Sequence, residues 1–266
     1  MTRLAEVFAR LRSRGERALV PYFTAGDPSL ALTRDLVAEA GRRGADIIEL
    51  GIPFSDPLAD GPVVQRATQR ALGAGVTLPR VLELAREMRG DVTAPLVFLT
   101  YYNPILAFGL KAFCQTAADA GVEGVIVADL PPEEAGPLRN EADAAGLEVI
   151  HFVAPTSTPE RMRRIAKATG SFIYMVTLTG VTGTRAELPP DLGRHLRTLR
   201  GITTKPVCVG FGISTPAHAA LAGEFADGVI VGSAIVALVE RYAGSPELLS
   251  RVGDFIAALK APLRRG

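Results

Sequence analysis

Three carboxylates stand close together in one stretch of the chain, and their settings differ. Glu49 lies inside the apolar run 46–51, where its side chain should be largely removed from water. Asp56 and Asp60 follow in a loop that is rich in Pro, Asp and Gly. An ionised carboxylate is costly to bury unless it is paired, so we expect Glu49 to be neutralised or put to use. A strand-borne acid followed by a loop-borne acid therefore predicts a general acid–base pair.

Glycine-rich segments predict a phosphate site in the last third of the chain. Segments 210–214 and 231–234 follow the seventh and eighth predicted strands, and segment 180–184 follows the sixth. Their backbone N–H groups could approach phosphate oxygens, and the Ser233 hydroxyl could add a donor. Each segment alone could be an ordinary tight turn. Three of them on consecutive strand ends favour a phosphate site.

Eight apolar runs alternate with stretches of helical spacing, and this alternation predicts the fold that would position these groups. The runs are 18–23, 46–51, 95–100, 124–129, 148–153, 172–177, 206–210 and 228–231. Strands that are each followed by a helix imply parallel crossovers, so we expect an α/β fold, a closed (βα)₈ TIM barrel. An open doubly wound sheet is the structural alternative. The charged, amphipathic segment 1–17 predicts an extra N-terminal helix, and no linker divides the single domain expected over residues 1–266.

The barrel prediction sorts the polar residues by their place on the strands. Catalytic groups of such barrels lie at the carboxyl ends of the strands. Glu49, Asp60 and His151 fall at or beyond predicted strand ends, whereas Asp46 and Asp227 precede their strands and belong to the opposite, stabilising face. His151 is better explained as a hydrogen-bonded structural histidine than as a catalyst.

Composition excludes several classes of partner. The formal net charge of +1 argues against nucleic acid or an anionic membrane surface as the main partner. The chain shows no signal peptide and no apolar run long enough to cross a bilayer. Cys114 and Cys208 lie far apart outside any motif, which is typical of reduced thiols in a cytoplasmic protein.

The positions of the lysines and histidines argue against Schiff-base and metal-dependent catalysis. Schiff-base catalysis in a barrel needs a lysine at a strand end, and a metal site needs clustered histidines and carboxylates. The three histidines are scattered, so we expect no metal and no cofactor on this chain. The lysines lie on predicted helices or ahead of a strand: Lys111, Lys167, Lys205 and Lys260. The residues of this chain therefore favour acid–base catalysis.

The stretch 48–61, with sequence IELGIPFSDPLADG, resembles the signature of the tryptophan synthase α-subunit family. Further matches occur in the family's order across nearly the whole chain: PYFTAGDP at 21–28, TYYNP at 100–104, DLP at 129–131, GVTG at 180–183 and VGFGI at 209–213. Some members of the family have Ser-Arg where this chain has Thr177-Leu178. This departure concerns hydrogen bonding in the segment that follows, and it leaves the catalytic pair untouched.

The resemblance implies a lyase of L-tryptophan biosynthesis, which cleaves indole-3-glycerol phosphate to indole and glyceraldehyde 3-phosphate by a retro-aldol reaction. Glu49 would be the general acid and base, and Asp60 would act on the ring nitrogen. Each of two residues has a structural alternative. Asp60 could simply cap the next helix, and Tyr174 could be an ordinary barrel residue. The substrate-binding residues implied by the resemblance are Phe23, Thr100, Tyr174 and Phe211 for the indole, Gly183, Gly212, Gly232 and Ser233 for the phosphate, and Thr182 as a partner of Asp60.

The resemblance also implies a partner. We expect a tryptophan synthase β subunit that carries pyridoxal phosphate, in an α2β2 heterotetramer. The loop 53–60 joins the two catalytic acids, so a partner that touches Asp56 would also affect the site. Segment 178–191 is rich in Gly, Thr and Pro and is suited to a lid. Two alternatives remain: a stand-alone lyase with the same chemistry, and a phosphate-ligand binding subunit that regulates a partner, against which the intact Glu49 and Asp60 argue.

Overall fold

Short parallel strands form one sheet that curves into a barrel. The structure is a computed structural model, and it describes residues 1–176, 192–210 and 212–264. Within these ranges the sheet order is β5-β4-β3-β2-β1-β9-β8-β7-β6, and every pairing is parallel. The strands are β1 Ala18–Thr24, β2 Ile48–Gly51, β3 Leu96–Thr100, β4 Val122–Val127, β5 Glu148–Ile150, β6 Phe152–Val153, β7 Ile173–Val176, β8 Val207–Gly210 and β9 Gly228–Val231.

The predicted (βα)₈ barrel is confirmed, and its fifth strand is divided. β5 pairs with β4, and β6 pairs with β7, while only His151 separates β5 from β6. The two ends of the sheet are therefore consecutive in the chain, and the sheet closes on itself at this point. Each of the eight predicted runs contains or overlaps a strand.

Helices surround the barrel and cover one of its ends. The described residues form twelve: α1 Arg3–Ser13, α2 Leu30–Arg42, α3 Pro62–Gly73, α4 Leu78–Met88, α5 Tyr102–Phe108, α6 Leu110–Asp119, α7 Gly136–Ala145, α8 Pro159–Ala168, α9 Leu192–Arg200, α10 Pro216–Gly223, α11 Ser233–Tyr242 and α12 Leu248–Leu263. The expected N-terminal helix is α1. No helix among the described residues is both long and apolar enough to cross a membrane.

Alternation along the strands separates an inner core from an outer one. Val20 on β1 and Cys208 on β8 face inward and pack with Leu4 and Phe8 of α1, which closes the amino-terminal end of the barrel. Leu19, between two inward-facing residues, packs outward with the helices. Successive strand residues point to opposite faces, so this parity decides which side chains can reach the barrel mouth.

The amino-terminal end of the barrel carries a buried ion pair. Lys260 Nζ donates to Asp46 Oδ2 at 2.8 Å and to the backbone oxygen of Arg17 at 2.9 Å. Asp46 also accepts the backbone N–H of Leu19 at 2.9 Å. Asp227 accepts the N–H of Val207 at 2.7 Å at the same end. The placement of Asp46 and Asp227 on the stabilising face is confirmed.

Candidate active site

A cavity opens at the carboxyl ends of the strands, where a barrel carries its chemistry. It brings together acids from one part of the chain and glycines from another. Its lining includes Tyr22, Glu49, Asp60, Leu99, Tyr174, Gly212, Ile213, Ser214, Ile230, Gly232 and Ser233.

Glu49 lies at the bottom of this cavity as a buried acid. Its side chain is held by β2, all four residues of which are buried, and Glu49 itself is 1% exposed. Within the described residues its Oε2 atom has no hydrogen-bond partner. Burial raises the pKa of Glu49 to about 8, and the negative charge of Asp60 adds to the rise. Glu49 therefore holds a proton at neutral pH and can donate it.

Asp60 lies at the end of the loop that follows β2. Burial raises its pKa, and a hydrogen bond from Tyr101 opposes that rise. Gln65 Nε2 donates to the backbone oxygen of Asp60 at 2.7 Å, and the N–H of Ala59 donates to the Tyr101 hydroxyl at 3.0 Å. Gly61, rather than Asp60, occupies the N-cap position of α3. The carboxylate of Asp60 is thus available to the cavity, and the helix-cap alternative is not supported.

Two tyrosines lie over glycines at the mouth. A Cβ atom on Gly51 would overlap the Tyr22 hydroxyl, and one on Gly210 would lie 2.5 Å from the Tyr174 ring. Burial raises the pKa of both phenols, with the charge of Asp60 next for Tyr22 and that of Glu49 next for Tyr174, so both stay protonated. The glycines at these strand ends therefore make room for aromatic rings beside Glu49 and Asp60.

The structure corrects two of the residues predicted to line the indole pocket. Phe23 is buried in the outer core with the helices, and Thr100, two residues beyond the outward-facing Phe98, follows the same parity. Their chain neighbours Tyr22 and Leu99 line the cavity instead. A shift of one residue along a strand moves a side chain to the other face of the sheet. Tyr22 is also the register partner of Glu49 across β1 and β2, which fixes its inward direction.

The opposite side of the cavity is suited to an anion. Gly232 immediately precedes α11, whose first residue is Ser233, and Gly212 adopts a positive φ of 82° in the loop after β8. The first N–H groups of a helix have no partner within the helix and carry a partial positive charge. Gly212, Gly232 and Ser233 therefore lie together on one side of the cavity, where a phosphate could bind.

Several predicted residues fall outside the part of the chain that the structure describes. They are Thr182, Gly183 and Phe211, together with the Thr177-Leu178 departure and the remainder of segment 178–191. Tyr174 lies within the described residues and lines the cavity.

Two further polar residues at strand ends, Asp129 and His151, lie outside the cavity lining. Asp129 Oδ1 accepts the backbone N–H of Tyr102 at 2.8 Å, so it orders a neighbouring loop. His151 is buried outside the cavity lining, and burial lowers its pKa to about 4. Its Nε2 atom has no hydrogen-bond partner within the described residues, so the expectation of a hydrogen-bonded side chain is not met at that atom. The described residues contain no group of three His, Cys, Asp or Glu side chains that could hold a metal ion.

Comparisons with known proteins agree with this geometry. The family model described as tryptophan synthase alpha chain matches residues 8–260. The tryptophan synthase alpha chain of Geobacter sp. (strain M21) is 47% identical over 266 residues, covering 100% of this chain and 99% of the relative. That of Gloeobacter violaceus is 49% identical, covering 97% and 94%.

Two solved structures of tryptophan synthase are also similar to this chain over nearly its whole length. The crystal structure of tryptophan synthase subunit alpha from Legionella pneumophila is 38% identical, with a TM-score of 0.92, and the alignment covers 99% of this chain and 98% of that one. A structure of Mycobacterium tuberculosis tryptophan synthase is 35% identical with a TM-score of 0.92 and full coverage of both chains.

Proposed function

The chain belongs to the tryptophan synthase alpha chain family, and we propose that Glu49 and Asp60 are the groups with which it cleaves indole-3-glycerol phosphate. As an alpha chain it is a lyase of tryptophan biosynthesis, and its products are indole and glyceraldehyde 3-phosphate. One observation carries the assignment of residues. A buried carboxyl with a pKa of about 8 faces the same cavity as the amino-terminal end of a helix. Carbon protonation and phosphate binding need these two features in one site.

Glu49 can supply and recover the same proton. As a neutral acid it donates a proton to C3 of the indole ring, which allows the bond between C3 and the side chain to break. The resulting carboxylate then takes the proton of the side-chain hydroxyl, whose carbon becomes the aldehyde of glyceraldehyde 3-phosphate. Glu49 ends the cycle protonated, and the substrate has been divided without any other reactant.

Asp60 is suited to the ring nitrogen. Electron flow from the nitrogen to C3 makes C3 basic enough to be protonated, and a carboxylate that accepts the indole N–H promotes that flow. Asp60 takes this role because a hydrogen bond from Tyr101 stabilises its ionised form, whereas Oε2 of Glu49 has no hydrogen-bond partner among the described residues. Two carboxyl groups in different surroundings thus take different tasks.

The rest of the cavity is assigned to binding. Tyr22, Leu99 and Tyr174 are proposed to hold the indole ring, since their apolar surfaces line the acidic part of the cavity. The N–H groups at the start of α11 and around Gly212 are proposed to hold the phosphate, with Ser233 as a further donor. For Thr182, Gly183 and Phe211 the support is the family motif alone.

An alpha chain works with a β subunit, and we extend this to an α2β2 heterotetramer in the cytoplasm. Pyridoxal phosphate is assigned to the β subunit, and none to this chain. The loop between the catalytic acids exposes an apolar residue, Leu58, which is 86% exposed next to Pro57. This loop joins Glu49 to Asp60, so a partner docked on it would also affect the site.

Turnover measurements test this assignment. Purified chain is assayed for release of indole from indole-3-glycerol phosphate, alone and with a β subunit. Glu49→Gln should keep its affinity for inorganic phosphate and lose about 10²–10⁴-fold in turnover, because the amide keeps the shape and cannot transfer the proton. Glu83→Gln removes an exposed carboxyl on α4 and should match the unaltered chain. Near-normal turnover by Glu49→Gln would overturn the proposal.

A further inference from the structure

Helix α3 connects the catalytic acid Asp60 to the rest of the barrel. It begins at Pro62, two residues after Asp60, and its Gln65 side chain donates to the Asp60 backbone oxygen at 2.7 Å. Any displacement of α3 therefore moves Asp60. The position of this helix is part of the geometry of the site.

Helix α3 packs directly against the helix that begins at the phosphate end. Val64 and Ala67 of α3 form a small buried cluster with Val236 of α11 and with Tyr22 of β1. Val236 lies one turn after Ser233, the first residue of α11. The same contact surface thus joins Asp60, the phosphate end and an aromatic wall of the cavity.

An ionic cluster spans the edge of this surface. Arg70 of α3 donates to both oxygens of Asp27, Nε to Oδ1 and Nη2 to Oδ2, each at 2.8 Å. Its third nitrogen, Nη1, donates to Glu240 Oε1 of α11 at 2.7 Å. We call Asp27, Arg70 and Glu240 the Arg70 clamp. One guanidinium group therefore holds α3, α11 and the loop after β1 together.

The clamp differs from an ordinary surface ion pair. The Asp27 side chain is 2% exposed, and a planar guanidinium that meets both carboxylate oxygens fixes direction as well as distance. Exposed pairs such as Arg164 with Glu160 add little to stability. A buried ion pair is often no more stabilising than apolar residues of similar volume, so stability alone does not explain the clamp.

We propose that Arg70 is a positioning residue for the cleavage reaction, which sets the distance from Asp60 to the phosphate end by holding α3 against α11. Arg70 lies outside the cavity lining of the described residues, so it acts through the helix and not by contact with substrate. The inference rests on the proposed function. A shift of about 1 Å in a reacting group can lower the rate about 100-fold, which is why such a residue matters.

The first test compares two arginines of the same helix. Arg70→Met keeps the aliphatic stem and removes the guanidinium, whereas the control Arg66→Met removes an arginine that bonds Glu240 but does not reach Asp27. We expect Arg70→Met to lower kcat about 10- to 100-fold, with the affinity for inorganic phosphate changed less than about threefold. Arg66→Met should stay within about twofold in both measurements. Equal kcat values for the two variants would overturn the proposal.

The second test separates positioning from folding. Arg70→Met leaves the buried carboxylate of Asp27 without its cation and should lower the melting temperature. The double variant Asp27→Asn/Arg70→Met removes that unpaired charge, so it should regain the melting temperature while kcat stays about tenfold or more below normal. Recovery of kcat together with the melting temperature would show a purely structural role and refute the proposal. If Arg70→Met does not fold, the double variant alone decides between these outcomes. If the unaltered chain does not cleave indole-3-glycerol phosphate, the result contradicts the proposed function instead.

Discussion

Replacing Glu49 by Gln should stabilise the protein at neutral pH while it removes the catalytic proton. The unfolded chain releases the proton of Glu49 near the ordinary pKa of 4.5, whereas the folded chain, in which this side chain is buried, holds it up to about pH 8. The folded state therefore binds more protons than the unfolded state between these two values. The contribution of Glu49 to the free energy of unfolding is therefore largest below pH 4.5, and this contribution falls as the pH rises towards 8.

The size of the effect follows from the width of that range. Each pH unit above 4.5 lowers the free energy of unfolding by ~1.4 kcal/mol, so the loss is roughly 3 kcal/mol at pH 7 and approaches about 5 kcal/mol above pH 8. Gln has a similar shape and no proton to release, so the variant escapes this loss. Glu49→Gln should be more stable than the unaltered chain by roughly these amounts, and no more stable below pH 4.

Urea unfolding followed by circular dichroism measures this difference directly. Curves for the unaltered chain, Glu49→Gln and Glu83→Gln are recorded at pH 4, 7 and 8.5 under one salt condition. Glu83, exposed on α4, controls for the loss of a carboxyl group as such. A stability difference for Glu49→Gln that is the same at all three pH values, or a variant less stable at pH 7, would show that folding does not raise the pKa of Glu49.

Three further variants probe other parts of the barrel. Gly210→Ala should raise KM and lower kcat, because the added methyl would lie 2.5 Å from Tyr174 and displace its ring; steady-state kinetics with a melting curve check this. Ser233→Asp should raise KM for the phosphate substrate at least about tenfold by like-charge repulsion, without lowering the melting temperature, since an acid at a helix start is favourable. Lys260→Met should cost about 3–5 kcal/mol of stability by leaving Asp46 buried without its cation. Its turnover per folded molecule, measured well below the melting temperature, should be unchanged, because this pair lies at the end of the barrel opposite the cavity.

The sequence predicts the barrel and the place of its two candidate acids, Glu49 and Asp60, because these depend on local patterns. Each apolar run ends near a strand end, and the strand-end rule then places Glu49 and Asp60 on one side of the molecule. The glycine segments that hold Gly212 and Gly232 follow the same rule. No long-range information is needed to bring these groups together.

The facing of individual strand residues is harder to predict. Strands of a parallel barrel are buried on both faces, so Tyr22-Phe23 and Leu99-Thr100 show no polar–apolar alternation that would reveal which residue points inward. In the structure the register of β1 with β2 pairs Tyr22 with Glu49, and this pairing identifies Tyr22 as the inward-facing residue. That register depends on contacts between strands, and a single sequence does not contain it.

The added helices and the Arg70 clamp also escape prediction from the sequence. Helix α3 lies within a region that the strand–helix alternation leaves unassigned, and the clamp joins residues 27, 70 and 240. Charged residues so far apart are common on helix surfaces. Only the packing of α3 between β1 and α11 brings these three together.

Titration of the Glu49 carboxyl group tests the central claim most directly. Protein labelled with ¹³C at the glutamate carboxyl carbons is followed by NMR from pH 3 to 10, and the signal that disappears in Glu49→Gln is assigned to Glu49. We expect a midpoint for this signal near pH 8, because the side chain is buried beside the charge of Asp60, and a loss of kcat/KM with the same midpoint as the pH rises. A midpoint near 4.5 would contradict it, since Glu49 would then be ionised at neutral pH and could not protonate the indole ring.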